Sequence, residues 1–174
     1  MTNTTSTLRE PQLTRQTVVV IGGSSGIGLE TARLARAEGA DVVITGRDPE
    51  RLSQAALELG ARSSSAFDAT DFDRLARFFD DLPAPIDHVM VTAGGSYYAP
   101  LADIDFEQAR RNLEQHLLLP LQVARNAATR VRPGGTLLFT SGTGGRRTAA
   151  GMALISALTA ALPALTRTLA LELA

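Results

Sequence analysis

Thr17-Val-Val-Val-Ile-Gly-Gly-Ser-Ser-Gly-Ile-Gly-Leu-Glu30 sets a β-branched apolar run, a glycine-rich turn and the start of a helical pattern in immediate succession. Val18 to Ile21 has the pattern of a strand buried on both faces of a parallel sheet, because no polar residue interrupts it. Gly22, Gly26 and Gly28 allow a tight turn and let backbone N–H groups reach an anion that a Cβ would hold off. The helical stretch that follows carries Ile27, Leu34 and Ala35 on one stripe, so its positive N-terminal end faces whatever the turn holds. Strand, turn and helix in this order imply a bound diphosphate, and a second strand at 41–45 makes the ligand a dinucleotide.

Outward from this segment the chain alternates strand and helix. Strands are expected near 17–21, 41–45, 63–67, 87–92 and 135–140, and helices near 26–38, 49–59, 71–80, 105–131 and 150–173. Pro133-Gly134-Gly135 is expected to stop the long fourth helix ahead of the fifth strand. Such alternation defines an α/β fold, a Rossmann-like doubly wound parallel sheet in the order 3-2-1-4-5, with ligand at the C-terminal strand ends.

Composition narrows the function. The chain has 174 residues, 44% of them hydrophobic, and a net charge of −1, which gives no electrostatic case for nucleic acid. The absence of cysteine excludes disulfides and thiolate chemistry, and His88 and His116 alone cannot form a zinc site, so no metal is expected. Residues 1–16 are rich in Thr and Ser and lack the apolar core of a signal peptide, so they form an expected disordered lead-in to a cofactor-binding domain over 17–174 of a cytoplasmic protein. The uncharged stretch Ala149 to Thr166 approaches membrane-spanning length, but its Ala, Thr, Ser and Gly content and Pro163 favour a buried helix or a dimer surface over a membrane span.

Gly22-x-x-x-Gly26-x-Gly28 differs from the Gly-x-Gly-x-x-Gly spacing of the better-known dinucleotide turn and resembles the short-chain dehydrogenase/reductase family, with Ile21 where that family has Thr. The resemblance runs from about Thr17 to the end of the chain. It implies cofactor contacts from Gly22, Ser24, Ser25, Gly26, Ile27 and Gly28, from Asp68 after the third strand, and from Ala93 and Gly94 after the fourth, where Val91 and Thr92 replace the family's two asparagines. At the end of the second strand Gly46 offers no carboxylate for a ribose diol, while Arg47 offers a guanidinium suited to a 2′-phosphate, so NADP(H) is expected over NAD(H).

The same resemblance implies hydride transfer between the cofactor and a small carbonyl or alcohol, assisted in the family by Ser, Tyr, Lys and Asn. These positions fall on Gly142 (with Ser141 one residue earlier), Ile155, Thr159 and, on or near it, His116; no lysine occurs in the chain. All four catalytic side chains are therefore expected to be replaced. The remaining candidates for proton transfer are Ser141, His116, Tyr97 and Tyr98, with Arg146 and Arg147 in a loop over the site. The alternative is a non-catalytic cofactor-binding or dimerising protein. The family's last strands find no counterpart before Ala174, and a homo-oligomer through the fourth and last helices is expected from their Ala/Leu-rich composition.

Overall fold

The computed structural model describes residues 12–174. Its elements are β1 Thr17–Ile21, α1 Gly26–Ala37, β2 Asp41–Gly46, α2 Pro49–Leu59, β3 Ser63–Ala66, α3 Phe72–Asp81, β4 Ile86–Val91, α4 Phe106–Leu113, a π-helical turn Glu114–Leu118, α5 Leu119–Ala127, β5 Val131–Phe139 and α6 Ala153–Glu172. All strand pairings are parallel, in the order β3-β2-β1-β4-β5. This is the Rossmann-like sheet that the alternating sequence pattern predicts.

β1 sits at the centre and is buried along its whole length. Its side chains alternate between two cores: Val19 and Ile21 pack with Val43, Val89, Phe79, Leu75 and Leu119, whereas Val18 and Val20 pack with Val42, Ile44, Ala32, Ala35 and Leu52. Helices on both faces explain why Val18 to Ile21 carries no polar side chain. At one edge β3 is Ser-Ser-Ser-Ala, with Ser63 and Ser64 exposed, a composition that blunts an open strand edge. At the end of the sheet opposite the cofactor turn, the buried Asp87 carboxylate accepts a hydrogen bond from Thr17 N at 2.7 Å and pairs with Arg132, tying β1 to β4 and β5.

Of the residues read as a lead-in, 1–11 lie outside the described residues. Leu13 packs against the α1/α2 core, and its N–H reaches Glu38 O at 3.2 Å.

Three local expectations are corrected. On α1, Ile27 and Leu34 are 68% and 67% exposed; the buried stripe is Gly28, Ala32 and Ala35, whose small side chains bring the helix close to the sheet. The expected helix 105–131 is split by the π turn, because Pro120 has no N–H for the carbonyl four residues back, and it ends at Ala127. Pro133-Gly134-Gly135 stops no helix: it lies inside β5, where pairing jumps from Ile86–Val131 to His88–Thr136. Gly134 has φ +79°, and a Cβ on Gly135 would stand 2.5 Å from Asp87 O, so only glycine fits this bulge.

α6 is long and apolar enough by length and composition to cross a membrane. In the fold, its first half buries Ile155, Ser156, Leu158, Thr159 and Leu162.

Candidate cofactor cleft and catalytic wall

The ends of β1, β2 and β4 open into one cleft because the chain after β1 cannot continue straight. Gly22, at φ +96°, leaves no room for a side chain: a Cβ there would lie 2.6 Å from Ala93 N and 2.8 Å from Thr92 Oγ1. Gly28 is tighter still, with its would-be Cβ 2.2 Å from Gly22 O and 2.5 Å from Thr92 Oγ1. The first turn of α1 therefore packs directly on the strand-end loop. Gly26 differs, since a Cβ on it would meet no protein atom within 4 Å, leaving the space over the turn open.

Backbone polarity fits a diphosphate in that space. Gly23 N is satisfied by Thr45 O at 2.9 Å and Gly22 N by Thr45 Oγ1 at 3.3 Å, which pin the turn to β2. α2, α3 and α4 are capped by Asp48, Asp71 and Asp105, each accepting from N–H groups of its own first turn. Ser25, at the start of α1, makes no such side-chain bond, and α1 has no acidic residue in its first turn. Its N–H groups and positive helix end remain directed to an anion.

All ten residues assigned to the cofactor from sequence, Gly22, Ser24, Ser25, Gly26, Ile27, Gly28, Arg47, Asp68, Ala93 and Gly94, line this one cleft. Asp68 Oδ1 accepts from Thr70 N at 2.9 Å and Thr70 Oγ1 at 2.8 Å, which fixes the carboxylate. Asp71, three residues on, is the N-cap of α3.

Two contributors escaped the sequence reading. Thr92, at one of the replaced asparagines, donates its hydroxyl to Gly22 O at 3.0 Å and to Ile21 O at 3.3 Å, so β4 braces the glycine turn. Arg51, on the first turn of α2, joins Arg47 at the β2 end of the cleft. A helical position four residues after Arg47 is a signal that a closer reading could have used.

A second cavity, of about 460 Å³, continues from the first past Ile27, Thr92, Ala93, Gly94, Gln115 and Thr140. It brings together Gly142, Ile155, Thr159 and His116, the four positions that the family resemblance implies for the catalytic side chains, together with Ser141 and Tyr98. Ile155 is 3% exposed, and Thr159 Oγ1 donates back to Ile155 O at 2.8 Å within α6.

The loop after β5 lies tight on this helix. A Cβ on Gly145 would meet Ala160 N and Cα at 2.8 Å, and one on Gly144 would meet Thr159 Oγ1 at 3.1 Å. Tyr97 is not on the cavity wall: its hydroxyl accepts from Asp105 N at 2.7 Å and its N–H reaches Asn112 Oδ1 at 3.2 Å, bracing the start of α4. Arg146 and Arg147 are also off the wall; both are exposed, and their backbone N–H groups bond Thr143 O at 2.9 Å.

Residues 16–174 match the family model described as short chain dehydrogenase. The chain belongs to the short-chain dehydrogenase/reductase family. It is 31% identical over 179 residues to Short-chain dehydrogenase/reductase ATR9 of Stachybotrys chlorohalonatus, covering 94% of this chain and 71% of that protein. To Oxidoreductase asL5 of Sarocladium schorii it is 38% identical over 101 residues, 56% of this chain and 41% of the relative. Among solved structures it superposes on BdcA, crystallised in complex with NADPH, with a TM-score of 0.85 at 27% identity, over 92% of this chain and 66% of that one. The matched lengths thus span about two thirds or less of some of these proteins. The family binds a nicotinamide cofactor, and the cleft described above has the backbone such a group requires.

Proposed function

We propose that the chain binds NADP(H) in preference to NAD(H) and acts as an oxidoreductase on a small carbonyl or alcohol without the family's usual proton-transfer group. The observation that carries the cofactor choice is at Gly46. A Cβ there would stand 2.7 Å from Ser24 Oγ and 3.0 Å from Ser24 Cβ, with Leu52 Cδ1 at 3.4 Å, so an acidic side chain reading a ribose diol has no room. Arg47 and Arg51 border the same end of the cleft and supply guanidinium donors for a 2′-phosphate. Bound cofactor supplies hydride chemistry. The chain's own part is to hold the diphosphate on the α1 N-terminus, the adenosine end between the two arginines and Asp68, and the nicotinamide end toward the second cavity.

A second reading is a non-catalytic cofactor binder, favoured by Ile155 and Thr159 on the wall where Tyr and Lys stand in the family. Fluorescence titration with NADPH and NADH, followed by turnover across a panel of uncharged carbonyls, decides between them. NADPH is expected to saturate at micromolar concentration and NADH at least ~10-fold more weakly, with Arg47→Ala closing most of that gap. Equal affinities would overturn the preference, and tight binding without turnover would favour the second reading.

We also propose a homo-oligomer through the α4–α5 segment and α6, on the strength of Leu113, Leu118 and Leu121, which are 40–45% exposed on that segment. Sedimentation velocity tests it, and a monomer at micromolar concentration would remove it.

A further inference from the structure

We propose that His116 is the proton donor of this site and that its substrate is an uncharged carbonyl compound; the inference rests on the cofactor reading above. The π turn presents two consecutive side chains, Gln115 and His116, to the same cavity. Together they bracket the backbone of one residue, Gly95. Gly95 N donates to Gln115 Oε1 at 3.1 Å, and His116 Nε2 lies 3.2 Å from Gly95 O.

A carbonyl oxygen only accepts, so Nε2 carries the hydrogen. The neutral ring therefore has its open lone pair on Nδ1, and that is the nitrogen that loads and delivers a proton. The only other titratable residue on the described wall is Tyr98, which is 60% exposed. No carboxylate, guanidinium or ammonium group is among the residues lining this cavity, whereas Ile27, Val91, Pro120, Phe139, Met152, Ile155 and Leu162 are. Apart from His116, whose charge is lost as it gives up its proton, a charged substrate would find no fixed charge here to offset its lost hydration, which favours a neutral one.

The step balances. The π bond of the carbonyl breaks as its carbon forms a C–H bond to the hydride of the reduced nicotinamide, and its oxygen forms an O–H bond to the proton leaving imidazolium Nδ1. The alcohol and the oxidised nicotinamide result, and neutral His116 regains its proton from water.

Three readouts test this on the full chain: NADPH affinity, single-turnover NADPH oxidation with benzaldehyde or the anionic 4-carboxybenzaldehyde, whose carbonyls are similarly electrophilic, and long-range ¹H–¹⁵N spectra of the imidazoles. Only His88 and His116 contribute to those spectra, so the His116→Gln spectrum assigns both. Expected are an Nε2–H tautomer for His116 and reduction of the neutral aldehyde at least ~10-fold faster than of the carboxylate. A ~100-fold or greater loss of rate is expected in His116→Gln and His116→Asn, whose amides can still donate to Gly95 O. NADPH affinity and melting temperature in these variants should stay near those of the parent.

An Nδ1–H tautomer, variant rates within threefold of the parent, or equal rates for the two aldehydes would overturn the proposal. NADPH binding with no turnover by the parent would overturn it too, leaving the cofactor reading intact. Failure to bind NADPH would instead overturn that reading and this inference with it.

Discussion

The two cavities at the C-terminal ends of the strands share six lining residues yet are built from different parts of the chain. The cofactor cleft is backbone: glycines whose would-be Cβ atoms fall 2.2–2.8 Å from neighbours, and helix N–H groups left without a side-chain cap. The adjoining wall is side chain: Ile155, Thr159, His116 and Ser141 set its chemistry, and none of them sits at a left-handed backbone position. The shape of the cleft is thus tied to the backbone, whereas the character of the wall is carried by side chains.

The sharpest way to break the contrast is Gly28→Ala. The methyl group would collide with Gly22 O and Thr92 Oγ1, so the turn must open. NADPH affinity is expected to fall at least ~100-fold, about 3 kcal/mol, and the melting temperature to drop. Gly26→Ala separates the cradle from the clash. Its Cβ meets no protein atom, so the fold bears only about 1–2 kcal/mol of left-handed strain at φ +55° while the methyl group enters the phosphate space. Parent-like affinity in Gly26→Ala by fluorescence titration would show that the diphosphate does not lie over this turn.

Next in size is Ile155→Ala on the wall. Ile155 is buried on α6 beside the cavity, and its truncation is expected to cost about 2–5 kcal/mol in urea unfolding while NADPH affinity stays within threefold. That outcome would make Ile155, which the family resemblance reads onto the tyrosine position, a piece of core. A stability loss below about 1 kcal/mol would mean the wall is loosely packed and the contrast with the cleft is overstated.

The same division governs how much was legible in the sequence. β1, the glycine turn and the strand order were readable, because β-branched runs and glycine spacings record backbone constraints directly, and the ten positions read as cofactor contacts line one cleft. Ile27 and Leu34 misled, since their periodicity is helical while the smaller Gly28, Ala32 and Ala35 form the face that meets the sheet. The π turn was hidden in Pro120, whose missing N–H can equally start, kink or widen a helix. Pro133-Gly134-Gly135 read as a helix stop because a bulge and a stop use the same residues; only the pairing of β5 with β4 distinguishes them. Tyr97 and Thr92 could not be sorted by local sequence, because their partners lie at Asp105 and at Ile21 and Gly22.

Thr92 also gives the finest test of the contrast, since it is a side chain acting in the backbone-built cleft. Its hydroxyl bridges two carbonyl oxygens at the exit of β1, and its Oγ1 lies 2.8 and 2.5 Å from where Cβ atoms on Gly22 and Gly28 would be. Thr92→Val keeps the shape and removes the donor, leaving Gly22 O and Ile21 O without this bond. Thr92 is only partly buried, so water can take over part of the lost hydrogen bonding, and the expected cost is about 1 kcal/mol in unfolding. The turn itself should hold, because Thr45 still fixes Gly22 N and Gly23 N from the β2 side. NADPH affinity should then weaken by no more than about fivefold, which is about 1 kcal/mol. A loss approaching that of Gly28→Ala would mean that a side chain, and not the glycine backbone, holds the cradle in shape.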